Sequence, residues 1–203
     1  MRERWTPLDI ATCDPDPMVQ FRRWFDDARD VMAEREAATL VTADRDGRPS
    51  ARMVLLRHVD ARAFGWFTNY HSRKGRELAA NPRAALLWYC EGRGRQVRVE
   101  GAVAPMSRAA SDAYFAARPR GHQISALASD QSEPLVSRAE LEARVAALAA
   151  RYAGEPVPRP EHWGGYLLTP DALEFWQRRD DRLHDRVAYQ RDGDLWRRER
   201  RSP

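Results

Sequence analysis

Ala38-Thr39-Leu40-Val41-Thr42-Ala43, Asp44-Arg45-Asp46-Gly47-Arg48-Pro49 and Ser50-Ala51-Arg52-Met53-Val54-Leu55-Leu56-Arg57 form the stretch on which the fold turns. Two apolar, β-prone runs flank a cluster of aspartate, glycine and proline. The runs predict strands and the cluster a reversing turn, so the pair is a hairpin. The same pattern recurs outward. A third strand is expected over about Phe64–Thr68, and Ala84–Tyr89 and Gln96–Ala104 are joined across Glu91-Gly92-Arg93-Gly94. Strands return at Gly165–Leu168, Leu173–Gln177, Arg186–Gln190 and Leu195–Arg200, the last two split by Asp192-Gly193. Strands joined as hairpins argue against an alternating parallel sheet. The expected class is mainly β: a closed or split antiparallel barrel with peripheral helices.

Helices fall between the strands. Asp16-Pro17 supplies an N-cap and a first-turn proline. Behind it Met18, Phe21, Trp24, Phe25, Ala28, Val31 and Met32 recur at helical spacing, predicting a helix to about residue 36. Short helices are expected after Lys74-Gly75 and around Ile124–Ala128, and a longer one over Ser107 to Ala117. Ser137-Arg138-Ala139-Glu140 has capping-box spacing and opens a helix to about Tyr152. Residues 1–16 are polar and proline-rich and read as a mobile N-terminal arm; residues 17–203 read as one domain.

Composition sets limits. Of 203 residues 43% are hydrophobic, which excludes a disordered chain, and the net charge is +4. That small excess admits anionic small molecules without requiring nucleic acid. The C-terminal arginines, Arg178 to Arg201, are interleaved with Asp180, Asp181, Asp185, Asp192, Asp194 and Glu199, which is no uniform phosphate track. Lysine occurs only at position 74; every other basic residue is arginine. The two cysteines, Cys13 and Cys90, have no metal-ligand spacing and suit a reducing compartment. His58, His71 and His162 show no metal-like spacing either, so no metal is expected. The N-terminus lacks a signal-peptide pattern, and no stretch approaches the roughly 18 apolar residues of a membrane helix. A soluble cytoplasmic protein is expected. There is no GxGxxG after a strand and no Walker loop.

Several segments carry chemistry. Ser72-Arg73-Lys74 lies between a strand and a helix, where backbone N–H groups favour an anion. Cations alone there are electrostatically poor, so a phosphate is the better reading. Arg52 and Arg57 stand at opposite ends, and on opposite faces, of an apolar strand; each either meets an anion or reaches solvent. Tyr114 and Arg118, four apart, share a helix face and offer a phenol and a guanidinium to one phosphate, or form an ordinary surface pair. Gln96 follows a glycine-rich turn and can donate and accept at once. On an extended strand Arg182, His184 and Arg186 would share one face and call for an anionic or electron-rich ligand; a solvated edge strand is the alternative.

In order along the chain, Arg52–Arg57, Phe67-Thr68-Asn69, Ser72-Arg73-Lys74, Gln96, Tyr114-Phe115 with Arg118-Pro119-Arg120, Gln131-Ser132, Trp163-Gly164-Gly165, Glu174-Phe175-Trp176-Gln177 and Arg182–Arg186 resemble the pyridoxine/pyridoxamine 5′-phosphate oxidase family. The resemblance covers nearly the whole chain. It implies an FMN-binding split barrel, active as a homodimer with flavin at the subunit interface. Carried over by position, it implies that Arg52, Ser72, Arg73 and Lys74 hold the FMN phosphate. Met53, Val54, Leu55, Phe67 and Thr68 would line the flavin, and Gln96 would read its pyrimidine edge. Gln131, Ser132, Trp176 and Arg186 would reach it from the other subunit.

Arg57, Tyr114, Arg118 and His122 take the substrate-phosphate positions, with Arg182 and His184 as the catalytic pair over the substrate ring. The implied reaction oxidises pyridoxamine or pyridoxine 5′-phosphate to pyridoxal 5′-phosphate by hydride transfer from C4′ to flavin N5, with O2 as acceptor and H2O2 as product. The chain departs from the family where Arg57 replaces the usual lysine, His122 a small hydroxyl residue and Phe67 the more usual tyrosine. Two alternatives stand beside it: an FMN-dependent oxidase of a reduced aromatic metabolite, of the dihydrophenazine type, and a split-barrel protein that binds flavin without turnover.

Overall fold

The computed structural model describes residues 5–203. Nine strands and five helices follow in the order α1 (Pro17–Asp27), β1 (Ala37–Ala43), β2 (Pro49–Leu55), β3 (His58–Val59), β4 (Phe64–Asn69), α2 (Arg73–Ala80), β5 (Arg83–Cys90), β6 (Arg95–Pro105), α3 (Arg108–Ala117), α4 (Arg120–Ala128), α5 (Arg138–Arg151), β7 (Trp163–Gln177), β8 (Asp185–Asp192) and β9 (Leu195–Arg200). Strand order is β2-β1-β5-β6-β7-β4-β3, with β8 on β7 and β9 on β8, and every pairing is antiparallel. This is the antiparallel split barrel with peripheral helices that the hairpins predict.

The split arises on β7. Where the sequence suggested two strands around Pro170, the chain runs on as one strand of 15 residues. One edge of it pairs with β6 from Tyr166 to Gln177. The other edge pairs with β4 up to Leu168 and with β8 from Ala172. Pro170, which has no N–H to give, falls where the partner changes. Opposite it the register slips between Glu100 and Gly101. A Cβ on Gly101 would sit 2.1 Å from the Thr169 carbonyl oxygen, so only glycine fits this bulge.

Helix α1 closes one end of the barrel. Phe21 meets Phe64 and Trp88 edge-on, and Trp24 meets Phe175, at centroid distances of 4.8, 5.7 and 5.2 Å. The helix stops at Asp27 rather than near residue 36. Asp26 and Asp27 crowd its negative end. Arg35 folds back to donate to the Phe25 carbonyl and the Asp26 carboxylate at 3.2 and 2.8 Å, and caps it there. Val31 and Met32 keep their apolar spacing but lie beyond the helix, in irregular chain.

The segment read as a mobile arm is packed over its described part; residues 1–4 lie outside the described residues. Leu8 and Cys13 are buried. Asp185 accepts from the Leu8 amide, Arg198 donates to the carbonyls of Ile10 and Cys13, and the Tyr189 hydroxyl donates to that of Asp14. Long-range partners of this kind have no local sequence signal. Among the described residues no helix is long and apolar enough to cross a membrane. A second apolar cluster, Phe115, Ile124, Val157 and Trp163, seats α3, α4 and α5 against the barrel wall.

Candidate functional site

The site is built where β4 turns into α2. Asn69 directs the turn: its side-chain oxygen accepts from the His71 amide at 2.8 Å, and its carbonyl from the Ser72 hydroxyl at 2.6 Å. Ser72 then caps α2, accepting from the Gly75 amide. A Cβ at Gly75 would lie 2.0 Å from the Tyr70 carbonyl oxygen, so glycine lets the first turn press against the preceding loop. Lys74 is thereby aimed inward and is 8% exposed. Its ammonium donates to Thr68 Oγ1, Ser72 Oγ and Gln131 Oε1 at 3.0, 3.2 and 2.9 Å. All three acceptors are neutral. Burial, and then the nearby Arg52 charge, pull Lys74 down to about 8, with Glu77 partly opposing. A buried ammonium held by neutral oxygens fits an anionic ligand.

Beside Lys74 lies a carboxylate the sequence reading passed over. Glu77 accepts from Thr42, from Ser50 at 2.6 Å, from Arg73 Nε at 2.8 Å and from Arg52 at 3.4 Å. Burial pushes its pKa up. The hydrogen bonds from Ser50, Thr42 and Arg73, with the Arg52 charge, outweigh that and hold it at about 2. The i, i+4 spacing of Arg73 and Glu77 was the available signal.

Lys74 opens into a cavity of about 750 Å³. Of the predicted residues, Met53, Val54, Leu55, Phe67, Thr68 and Gln131 line it together with Arg57, Tyr114, Arg118 and His122. Asn69, Ser129 and Trp163, given no role by the sequence reading, line it too. Phe67 and Tyr114 stack at 3.8 Å and 5°, nearly parallel to Trp163. Arg118 lies over the Trp163 ring at 4.6 Å, and its Nη1 is buried without a hydrogen-bond partner. Burial lowers its pKa, Tyr114 partly opposing. Arg118 lines the cavity, and a guanidinium there with an unpartnered nitrogen suits an anionic ligand. Arg52, Ser72 and Arg73 do not line the cavity; Ser72 bonds Lys74, and Arg52 and Arg73 stand around Glu77. Gln131 lies beside Lys74 of its own chain.

The remaining candidates form a separate row. Gln96 on β6 is level with Trp176 on β7, which is level with Arg186 on β8. Arg186 grips Glu174 through Nη2, at 2.9 Å to each carboxylate oxygen. None of the row lines the cavity. Arg182 and His184 do not extend it as a strand. β8 starts at Asp185, Arg182 has φ +65°, and the exposed chain between Arg178 and His184 is a loop. The charges of Arg179, Asp180, Asp181 and Arg182 favour water over a ladder. His184 reaches the row differently, with its ring 4.6 Å from that of Trp176 and Nδ1 accepting from the Arg179 amide at 3.0 Å. Ser132, at φ +76°, sits in an exposed turn after Gln131.

An antiparallel split barrel with a cationic, aromatic-walled cavity on its flank is the class that fold and site define. Comparison with known proteins carries this further. The family model "Pyridoxamine 5'-phosphate oxidase" matches residues 25–152, and "Pyridoxine 5'-phosphate oxidase C-terminal dimerisation region" matches residues 163–203. The pyridoxine/pyridoxamine 5′-phosphate oxidase of Rubrobacter xylanophilus is 54% identical, over 100% of this chain and 95% of its own. That of Thermosynechococcus vestitus is 57% identical, over 100% and 94%. Among solved structures, PhzG from Burkholderia lata 383, in complex with tetrahydrophenazine-1-carboxylic acid, has a TM-score of 0.91 at 34% identity, covering 98% of this chain and 99% of its own. The chain belongs to the pyridoxamine 5′-phosphate oxidase family.

Proposed function

We propose that this chain, as a homodimer with FMN, oxidises pyridoxine 5′-phosphate and pyridoxamine 5′-phosphate to pyridoxal 5′-phosphate with O2. Pyridoxine phosphate and O2 give the aldehyde and H2O2; the amine takes up water in addition and releases ammonia. The observation that supports this best is the pair of anion-seeking groups at one cavity, Lys74 among neutral oxygens and Arg118 with an unpartnered Nη1. They suit two phosphates, one on the cofactor and one on the substrate. FMN, when bound, supplies the hydride acceptor at N5 and passes the electrons on to O2.

The chain's residues bind, orient and exclude water. Lys74, Ser72 and Arg73 would hold the cofactor phosphate, with Arg52 behind them. Met53, Val54, Leu55, Phe67 and Thr68 would border the flavin ring. Arg118 would take the substrate phosphate with Tyr114, Arg57 and His122, its guanidinium resting over the Trp163 ring. Gln96, Trp176 and Arg186 would come from the second subunit, and Arg182 and His184 would close over the substrate ring. His184 Nδ1 accepts a backbone N–H, which fixes the proton of the neutral ring on Nε2. That nitrogen can donate to a ring substituent. Orientation at C4′ is the main contribution asked of this pair.

The likeness to PhzG favours a second reading, oxidation of a reduced tricyclic aromatic acid. Oxygen consumption by the FMN-loaded protein separates the two. Turnover of pyridoxamine 5′-phosphate far above that of unphosphorylated pyridoxamine is expected. Indifference to the phosphate, with turnover of a dihydrophenazine carboxylate, would replace the first reading by the second.

A further inference from the structure

We propose that Glu77 is a positioning residue that presents Arg73 to the phosphate of the flavin nucleotide. The proposal rests on the reading that this phosphate binds at Lys74. Glu77 is 6% exposed, and its carboxylate sits at the meeting of β1, β2 and α2. Thr42 from β1 and Ser50 and Arg52 from β2 all donate to Oε2, which pins the carboxylate from the barrel side. Its other oxygen, Oε1, takes Arg73 through Nε alone, at 2.8 Å. A grip at Nε leaves both terminal nitrogens as a free fork, the geometry that meets two phosphate oxygens at once. Among the described residues they meet no protein acceptor. Arg52 is the opposite case. Its terminal nitrogens are committed to the Leu40 carbonyl, Thr42, Ser50 and Glu77, so it contributes charge rather than free donors.

The charges agree with this arrangement. Arg52, Arg73 and Lys74 against Glu77 leave about two positive charges, which match a phosphomonoester dianion. A carboxylate that only offset charge would oppose phosphate binding, and its removal would tighten it. A carboxylate that aims Arg73 has the reverse effect. The two roles therefore predict opposite signs.

The test is a fluorescence titration of apoprotein with FMN and, separately, with riboflavin, which lacks the phosphate. Wild type is expected to prefer FMN. Glu77→Gln should weaken FMN by about 10-fold or more, the loss of a charge-assisted contact, and leave riboflavin unchanged. Glu77→Asp keeps the charge but falls short of Arg73, and should weaken FMN in the same direction. In an Arg73→Ala background, Glu77→Gln should have little further effect. Circular dichroism melts keep each titration below the variant's own transition. FMN affinity unchanged or tighter in Glu77→Gln, or effects additive with Arg73→Ala, would overturn the proposal. Equal wild-type affinity for FMN and riboflavin would instead overturn the underlying placement of the phosphate.

Discussion

Lys74 is the chain's only lysine, and it is buried among neutral oxygens. Its value falls from 10.5 to about 8 on folding, burial being the first cause. Below pH 8 it is charged in both states and its burial costs stability. Between 8 and 10.5 the unfolded chain holds a proton that the folded chain has lost, so stability rises with pH. Lys74→Met should therefore stabilise apoprotein near pH 7 by about 2 kcal/mol, an advantage that shrinks toward pH 10 in urea titrations. A phosphate dianion beside the ammonium reverses the shift. Calorimetry at pH 9 in buffers of different ionisation heat should find FMN binding coupled to uptake of nearly one proton, and none in Lys74→Met. Arg118 makes a separate prediction. Its orphaned Nη1 stands for a charge-assisted bond worth about 1.5–3 kcal/mol, so Arg118→Ala should raise the KM for pyridoxamine 5′-phosphate roughly 10- to 150-fold. Its FMN affinity should be that of wild type; an unchanged KM would remove Arg118 from the substrate site.

Helix α2 shows how an element sets the site. In an ordinary helix Gly→Ala stabilises by up to about 1 kcal/mol. At Gly75 the added methyl would sit 2.0 Å from the Tyr70 carbonyl oxygen, backbone that cannot swing aside. Gly75→Ala should thus destabilise by about 1–3 kcal/mol and loosen FMN as Lys74 shifts, read by urea unfolding and flavin titration. A stability equal to wild type would mean that the turn yields freely. Much of this element was legible beforehand: Ser72-Arg73-Lys74 between strand and helix is a local signal. So were the Asp44–Pro49 turn and the caps at Asp16 and Ser137, where a side-chain oxygen accepts from a backbone amide a few residues on. What the sequence hid depends on distant partners. The end of α1 is set by Arg35 returning to Phe25, the unity of β7 by a register slip on β6, and the aim of Glu77 by two other strands. The loop before β8 was misread for a different reason. Alternation of Arg182, His184 and Arg186 is what a strand would show, but a run of exposed charges with a positive φ at Arg182 does not stay in a sheet.

At the scale of the molecule, the candidate residues fall into two sets on one chain. The cavity holds Lys74, Phe67, Tyr114 and Arg118, while Gln96, Trp176 and Arg186 form a row across β6, β7 and β8 that does not border it. Trp176 and Arg186 lie within the segment that matches the family's dimerisation region. If a two-fold axis sets the row of one subunit against the cavity of its partner, each of two sites draws on both chains. Variants in different sets must then complement one another. Lys74→Met disables the cavity and Arg186→Ala disables the row, so each homodimer has two damaged sites. Their heterodimer has one site with both changes and one with neither. Unfolding and refolding an equal mixture should make half the dimers mixed, and restore about a quarter of wild-type activity if each variant alone is inactive. A site complete within one chain predicts no recovery on mixing, because every cavity would still carry one of the two substitutions. The readout needs only oxygen uptake with pyridoxamine 5′-phosphate before and after mixing, with each variant refolded alone as the control.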